Sequence, residues 1–424
     1  MDRAAALTRQ AEIARQLDEL VEEYFEIHPG PEDPLECPLS VPLYGAPEVS
    51  EAMQVLLSQR VTMGPRVQRF EAEFAAFVGA GHAVMVNSGS SANLLAVSAL
   101  NSQVTSNGLH PGDEVIVPAV TWPTTITPIL QNGCVPVFVD IDPDTLNLRP
   151  EELEKAWSPR TRAIFVVHLL GNPVRMNEVM AFARERDLLV IEDTCESLGT
   201  TIDGRQAGTF GAVGTYSFYF SHHITTIEGG MLVTDDMGIA DLARSMRAHG
   251  WTRGLSNREE LETASPWIDP RFLFVHIGYN LRPMELQAAF GTAQLKRLDE
   301  FNDARRANAA RLLAELTDLS DELTFVTEQE GGRSTWFGFA VITKDAETRK
   351  ALSAHLEADK IETRPLVAGN LAVQPAFRDS PHRTVGSLAN ASSIGQRALY
   401  IGNHPDLDDR RLEHIIESFR AFFR

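Results

Sequence analysis

The sequence predicts an α/β protein in two parts. One is a large domain built on a mainly parallel sheet covered on both faces, the other a smaller C-terminal α/β domain. Three observations predict this. The chain has 424 residues, long for a single core, so two domains are the natural division. Short β-rich runs alternate with helical patterns from Ala83 to Asp193, the rhythm of a doubly covered parallel sheet. A long helical pattern, Pro283 to Leu316, then leads into a second and shorter alternation. The expected divisions are a helical extension at 1–40, a large domain at 41–290 and a small domain at 291–424.

Taken in order, apolar residues at helical spacing (Leu7, Ile13, Leu17, Leu20, Val21, Phe25) make the N-terminal stretch an amphipathic helix. Such a helix packs on the body or on a partner subunit. Pro29, Pro31, Pro34 and Pro38 break it, and the body begins near Val41. Helices follow at Glu51 to Gln59 and Gln68 to Val78. Ala83 to Val86 is a strand, and Ser88-Gly89-Ser90-Ser91-Ala92 leads into a helix over Asn93 to Leu100. Strands at Glu114 to Val117, Val135 to Val139, Arg162 to His168 and Leu188 to Ile191 alternate with helices near Thr124 to Asn132 and at Met176 to Arg186. A strand pattern over Thr215 to Ser221 runs into His222-His223, and Glu228-Gly229-Gly230 opens a return strand over Met231 to Thr234. The polar stretch SNREELETASPW after Gly254 reads as a surface loop. In the small domain, strands at Gly338 to Thr343 and near Ile361 to Pro365 flank a helix at Glu347 to Ala358.

Composition excludes several classes. No run of 18 or more apolar residues occurs, so no membrane span is expected. The N-terminus is charged throughout and lacks an apolar signal core, which points to the cytoplasm. Three scattered cysteines, Cys37, Cys134 and Cys195, support neither a disulfide framework nor a four-cysteine iron–sulfur site. A formal net charge of −20 with no basic run argues against nucleic acid as partner. It leaves room for small anions held by local donors.

Five features carry chemistry. Ser88-Gly89-Ser90-Ser91-Ala92 puts small residues and hydroxyls where a strand becomes a helix, which is either a simple N-cap or a phosphate seat. Gly208, Gly211 and Gly214 do not form a dinucleotide fingerprint, and no P-loop occurs. Asp193 ends a hydrophobic strand with Glu196 three residues on; such a carboxylate is a helix-capping acid, a general base, a metal ligand or the partner of a protonated heterocycle. Trp122 offers a flat face, for the core or for a ring. The Gly214 to Gly230 segment is an ordinary hairpin or a ligand loop carrying Ser217 and a histidine. His222 and His223 are adjacent and point to opposite sides of an extended strand, so they do not share a metal. A phosphate seat, an aromatic platform, a strand-end carboxylate and a serine–histidine loop together suit pyridoxal phosphate. The lysine that would hold that cofactor covalently is missing.

Ser217 and Glu228-Gly229-Gly230 keep the spacing of the motif S-x-x-x-x-K-N-x-x-x-x-E-G-G, with His222 at the lysine position. Together with the stretches SHHI (Ser221 to Ile224), RAHGWTR (Arg247 to Arg253), GYNLRP (Gly278 to Pro283), WFGF (Trp336 to Phe339) and Gly402-Asn403-His404, this makes the chain resemble a known family. The family is the sugar aminotransferase branch of the fold-type-I pyridoxal-phosphate enzymes, which act on nucleotide-linked 4-ketosugars. The likeness runs from about Val41 to His404. Histidine in place of lysine matches its dehydrase subgroup, which removes the sugar 3-hydroxyl and includes the GDP-4-keto-6-deoxymannose 3-dehydratases of colitose biosynthesis. The CDP-sugar dehydrases of the subgroup add an iron–sulfur cluster held by later cysteines. This chain has none after Cys195 and resembles the cluster-free type.

The resemblance implies an aspartate-aminotransferase-like fold and pyridoxal or pyridoxamine 5′-phosphate as cofactor, with L-glutamate as co-substrate. It further implies a homodimer with shared active sites. Gly89, Ser90 and Ser217 are expected at the cofactor phosphate, Trp122 on the ring, Asp193 at the ring nitrogen and Glu196 near the ring hydroxyl. Many relatives carry glutamine at the Glu196 position. Asn280 is expected to reach the neighbouring subunit's phosphate, and His222 to move the proton that lysine would move. His249, Arg253 and Arg282 are candidates for the nucleotide sugar, and Arg364 for the glutamate carboxylate. The competing expectations are a 4-ketosugar aminotransferase and an inactive cofactor-binding homologue.

Overall fold

The computed structural model describes residues 2–27, 33–101 and 108–424, so Pro29 and Pro31 lie outside the described residues. Its large sheet has eight strands in the order His82–Val86, Gly230–Thr234, Val213–Ser217, Leu189–Asp193, Thr161–Val167, Glu114–Pro118, Val135–Val139, Arg383–Thr384. Gly230–Thr234 runs antiparallel to both neighbours, and every other pairing is parallel. The strands are rich in valine and isoleucine because helices cover both faces; Glu114–Pro118 is buried along its whole length. Two apolar layers flank the sheet, one including Leu95, Phe138 and Phe165, the other Ile116, Ile164 and Val179.

The helical pattern over Pro283 to Leu316 forms two helices, Glu285–Leu295 and Leu298–Leu316, broken at Lys296–Arg297. The break lets one pattern serve two cores. The first helix packs Ala288 in the cluster around Phe70 and Phe74, while the second gives Ala309, Leu312 and Leu316 to the core of the small domain. That domain has a four-stranded antiparallel sheet ordered Leu323–Phe325, Gly338–Thr343, Ala398–Gly402, Thr363–Pro365. The supposed loop after Gly254 contains a short exposed helix, Arg258–Ala264, supported by acidic residues in its first turn and an Arg258–Glu262 pair at 2.6 Å.

Helix Arg3–Glu26 is capped by Asp2, whose carboxylate accepts the Ala5 N–H at 2.7 Å. It leans on helix Ala46–Ser58, and none of its own residues is buried. Helix Pro65–Val78 has a distant cap instead of a local one. Gly64 lacks a side chain, so the Glu285 carboxylate accepts from the N–H groups of Gly64, Arg66 and Val67 at 2.8, 3.0 and 2.9 Å. Among the described residues no helix is long and apolar enough to cross a membrane.

The far sheet edge is fastened by charge. Glu114 is buried at its strand start and accepts from Ser158 at 2.8 Å, Arg160 at 2.5 Å and Arg383 at 2.8 Å. Burial alone would raise its pKa; the three donors outweigh it and hold the carboxyl at about 2. A folded-state pKa below the unfolded one stabilises above about 4.5 and is lost as pH falls towards 2. Urea unfolding across pH therefore has a clear expectation. Glu114→Gln should cost roughly 1–3 kcal/mol at pH 7, and its deficit against the parent should vanish as pH drops through that window. A deficit independent of pH would contradict the assignment.

Candidate active site

Strand Val213–Ser217 and strand Gly230–Thr234 form the hairpin, with Ser217 opposite Gly230. The strand ends at Ser217, four residues earlier than the pattern implied, because the chain bends there and His222 donates its N–H to the Tyr219 carbonyl at 2.9 Å. Two glycines press this segment onto the helix Gly89–Leu100. A Cβ on Gly230 would stand 2.3 Å from the Ser88 carbonyl oxygen, and one on Gly89 would stand 2.5 Å from the Ser217 Cβ. Ser88 caps the helix by accepting the Ser91 N–H at 3.1 Å. Among the described residues, the N–H groups of Gly89 and Ser90 have no protein acceptor; they lie in the first turn, at the positive helix end, and both residues line one cavity with Ser217.

A cavity of about 350 Å³ opens over this cradle. Gly89, Ser90, Trp122, Asp193, Glu196, Ser217 and His222 all line it, so the structure brings these expected residues together. Trp122 caps helix Pro123–Gln131 and is 57% exposed, leaving its ring free for a ligand. Asp193, at the carboxyl end of its strand, takes hydrogen bonds on one oxygen from Asn93 and Thr125, both at 2.8 Å. Glu196 accepts one bond, the Leu170 N–H at 2.9 Å, from a residue held at φ +50°. Burial pushes its carboxyl up to about 7, with the Asp193 charge adding to the effect.

The two histidines do part company, in a bend instead of a strand. His222 is half-buried at the cavity wall, its ring 5.2 Å from that of Phe337. Its Nδ1 has a long contact of 3.4 Å to Ser221, and its Nε2 has no protein partner among the described residues. Burial pushes this imidazole down to about 3, helped by the Arg305 guanidinium. His223 turns into the core, 1% exposed. Arg305 is itself buried without a carboxylate partner among the described residues; it donates to the carbonyls of Phe337, at 3.3 Å, and Asn403.

Asn280, Arg253 and Arg282 line a separate cavity of about 570 Å³, joined by Arg244 and Arg247. Arg282 donates to the Asn280 side-chain oxygen at 2.9 Å, and the Arg253 guanidinium lies 4.1 Å over the Trp251 ring. His249 borders this group, 5.4 Å from Trp251. Arg364 lies in neither cavity. It is exposed, paired with Glu362 at 2.5 Å, and touches the first site only through its cross-strand neighbour Tyr400. Sequence reasoning missed Asn93, Phe337 and Tyr400 as cavity residues. Phe337 lay within the WFGF stretch; Asn93 carried a faint signal, an amide between Ala92 and Leu95 on a largely apolar helix.

These residues fit pyridoxal phosphate. A cradle that admits no Cβ, with free N–H groups and two hydroxyls, suits the phosphate; Trp122 suits the ring face and the Asp193 carboxylate suits the ring nitrogen. Among the described residues no lysine lines the cavity, and His222 is the nitrogen base that does.

Residues 43–420 match the DegT/DnrJ/EryC1/StrS aminotransferase family. The dTDP-4-dehydro-2,6-dideoxy-D-glucose 3-dehydratase of Saccharopolyspora spinosa is 41% identical, over 87% of this chain and 83% of its own. The GDP-4-keto-6-deoxy-D-mannose 3-dehydratase of Yersinia pseudotuberculosis is 40% identical, over 87% and 94%. A GDP-4-keto-6-deoxymannose-3-dehydratase solved with a trapped PLP–glutamate geminal diamine superposes with a TM-score of 0.85 at 38% identity, covering 90% of this chain and 99% of that one. The chain belongs to the DegT/DnrJ/EryC1/StrS aminotransferase family and has the fold-type-I fold of its pyridoxal-phosphate enzymes.

Proposed function

We propose that the protein is a 3-dehydratase of a nucleotide-linked 4-keto-6-deoxyhexose, GDP-4-keto-6-deoxymannose in the first place, using L-glutamate to regenerate pyridoxamine phosphate. The observation that carries this reading is the base at the cavity wall, where His222 stands and, among the described residues, no lysine lines the cavity. When bound, pyridoxamine phosphate supplies an amino group for the 4-ketone and an electron sink through which the 3-hydroxyl can depart. His222 would take up a proton at Nε2 and deliver it to the departing 3-hydroxyl, which would leave as water. Burial keeps the imidazole neutral at pH 7, so its ring nitrogen is free to accept a proton. Glu196, with Oε2 held by the Leu170 N–H, would lie near the ring hydroxyl. Ser90, Ser217 and the Gly89 N–H would hold the phosphate. An aminotransferase is the second reading, favoured by the family at large; the lysine-free cavity weighs against it.

The second cavity belongs to the reading as the part a subunit lends its partner. Trp251 in the wall of this cavity stacks on the exposed Phe274, and Ile277, 95% exposed, stands three residues before Asn280, apolar groups that suit a surface made to be covered. Asn280 would then reach the phosphate of the neighbouring subunit, with Arg253, Arg282 and His249 near the nucleotide diphosphate. Arg364 is left as a weaker candidate for the glutamate carboxylate.

Three outcomes are expected. In mass spectrometry of products from GDP-, dTDP- and CDP-linked 4-keto-6-deoxy sugars with glutamate, one oxygen is lost and the ketone kept. His222→Asn lowers this by roughly 10²–10⁴-fold with cofactor affinity unchanged. An amine in place of the ketone would sink the reading. In the second, the rate of amino transfer from glutamate to bound cofactor inflects near pH 7, where Glu196 gains its proton on the acid side, and Glu196→Gln removes the inflection; an unchanged profile would show that Glu196 is not involved. In the third, mixing two inactive variants, His222→Asn and Asn280→Ala, restores about a quarter of parental activity through hybrid dimers. No recovery after subunit exchange would mean that each site is built from one chain.

A further inference from the structure

Asp193 is not a bare carboxylate at a strand end; it is the centre of a hydrogen-bond array contributed by four separate elements. Oδ2 accepts from Asn93 Nδ2 and Thr125 Oγ1, each at 2.8 Å, and Oδ1 accepts the Cys195 N–H at 3.1 Å. The outer bonds have a fixed direction. Thr125 spends its only hydroxyl proton on Asp193, so the 2.8 Å contact between Thr121 and Thr125 must run from Thr121 to Thr125. Asn93 is oriented in turn: its side-chain oxygen accepts from Thr215 Oγ1 at 2.6 Å, and its amide also donates to the Thr124 carbonyl at 3.2 Å. That settles which end of the Asn93 amide faces Asp193. Every contact to this carboxylate is therefore a donor, the Cys195 thiol included, and it is 5% exposed at the cavity lining. No arginine, lysine or histidine touches it among the described residues.

We propose that Asn93 and Thr125 are positioning residues that, through Asp193, set how strongly the protein holds the proton on the cofactor's ring nitrogen. The inference rests on the reading of Asp193 as the partner of that nitrogen. Two donors on Oδ2 fix the plane of the carboxylate and draw off part of its charge, so Oδ1 meets the ring nitrogen as an aligned acceptor that does not take the proton away. Without the Thr125 hydroxyl the carboxylate has one donor fewer on Oδ2 and is freer to rotate. The loss of alignment weakens its hold on a protonated ring. Thr121 and Thr215 act one step further out, keeping Thr125 and Asn93 in their donating orientation.

The test uses the full chain loaded with pyridoxal phosphate carrying nitrogen-15 in the ring. Thr125→Val keeps the shape and removes the hydroxyl; Thr125→Ser keeps the hydroxyl; Asn93→Ala removes the other donor should the valine variant not fold. The expected result is a ring-nitrogen resonance displaced towards the unprotonated position in Thr125→Val and Asn93→Ala, with a cofactor dissociation constant roughly tenfold higher, and parental values in Thr125→Ser. A purely structural role would lower thermal stability and leave the resonance where it was. Asp193→Asn separates the two ways of failing. If it moves the resonance and neither donor variant does, the positioning role is overturned alone. If Asp193→Asn leaves the resonance in place, Asp193 does not face the ring nitrogen and the proposal falls with that reading.

Discussion

The approach of Gly230 to the Ser88 carbonyl, closer than any side chain would allow, is the contact on which the rest of the site depends. It seats a hairpin on the first turn of a helix, and Gly89 against Ser217 repeats the arrangement from the other side. Free helix N–H groups, two hydroxyls and the bend that carries His222 are thereby brought to one small volume at the carboxyl ends of parallel strands. That is where open α/β sheets place their ligands. Trp122 and Asp193 reach the same volume because their strands, Glu114–Pro118 and Leu189–Asp193, end at the same side of the sheet. The small domain closes it with Phe337 and Tyr400.

Electrostatics then divides the labour. Two titratable groups at one cavity are driven in opposite directions by the same cause: burial lowers the imidazole of His222 to about 3 and raises the carboxyl of Glu196 to about 7. Neither is neutralised by an ion pair, in contrast to Glu114, where three donors overcome burial and the carboxylate serves stability. Arg305 sharpens the difference, a buried cation that spends its donors on backbone carbonyls and leaves its field to act on the histidines.

Much of this was legible in the sequence because it is local. Strands rich in β-branched residues announce themselves, and the expected bounds of those in the large sheet fall within a few residues of the observed ones. Small residues at a strand-to-helix turn, a carboxylate ending a strand and the spacing from Ser217 through His222 to Gly230 are likewise local facts. What was not legible depends on chain crossings. Asn93 gains its meaning only when its helix lies across the end of Leu189–Asp193; Phe337 and Tyr400 come from another domain, and the cap on helix Pro65–Val78 comes from Glu285. The break at Lys296–Arg297 has no glycine or proline to mark it, since it answers to two cores rather than to a local preference. Arg364 was drawn in by its place at a strand end, whereas its guanidinium is taken up by Glu362 at the surface.

The central claim is that His222 works where a lysine would otherwise anchor the cofactor, so that pyridoxal phosphate is held by contacts alone. The most direct measurement is borohydride reduction of the loaded protein followed by intact-mass and peptide analysis. The account predicts a chain of unmodified mass with the reduced cofactor released on denaturation. A cofactor mass fixed to any lysine of the chain would contradict it.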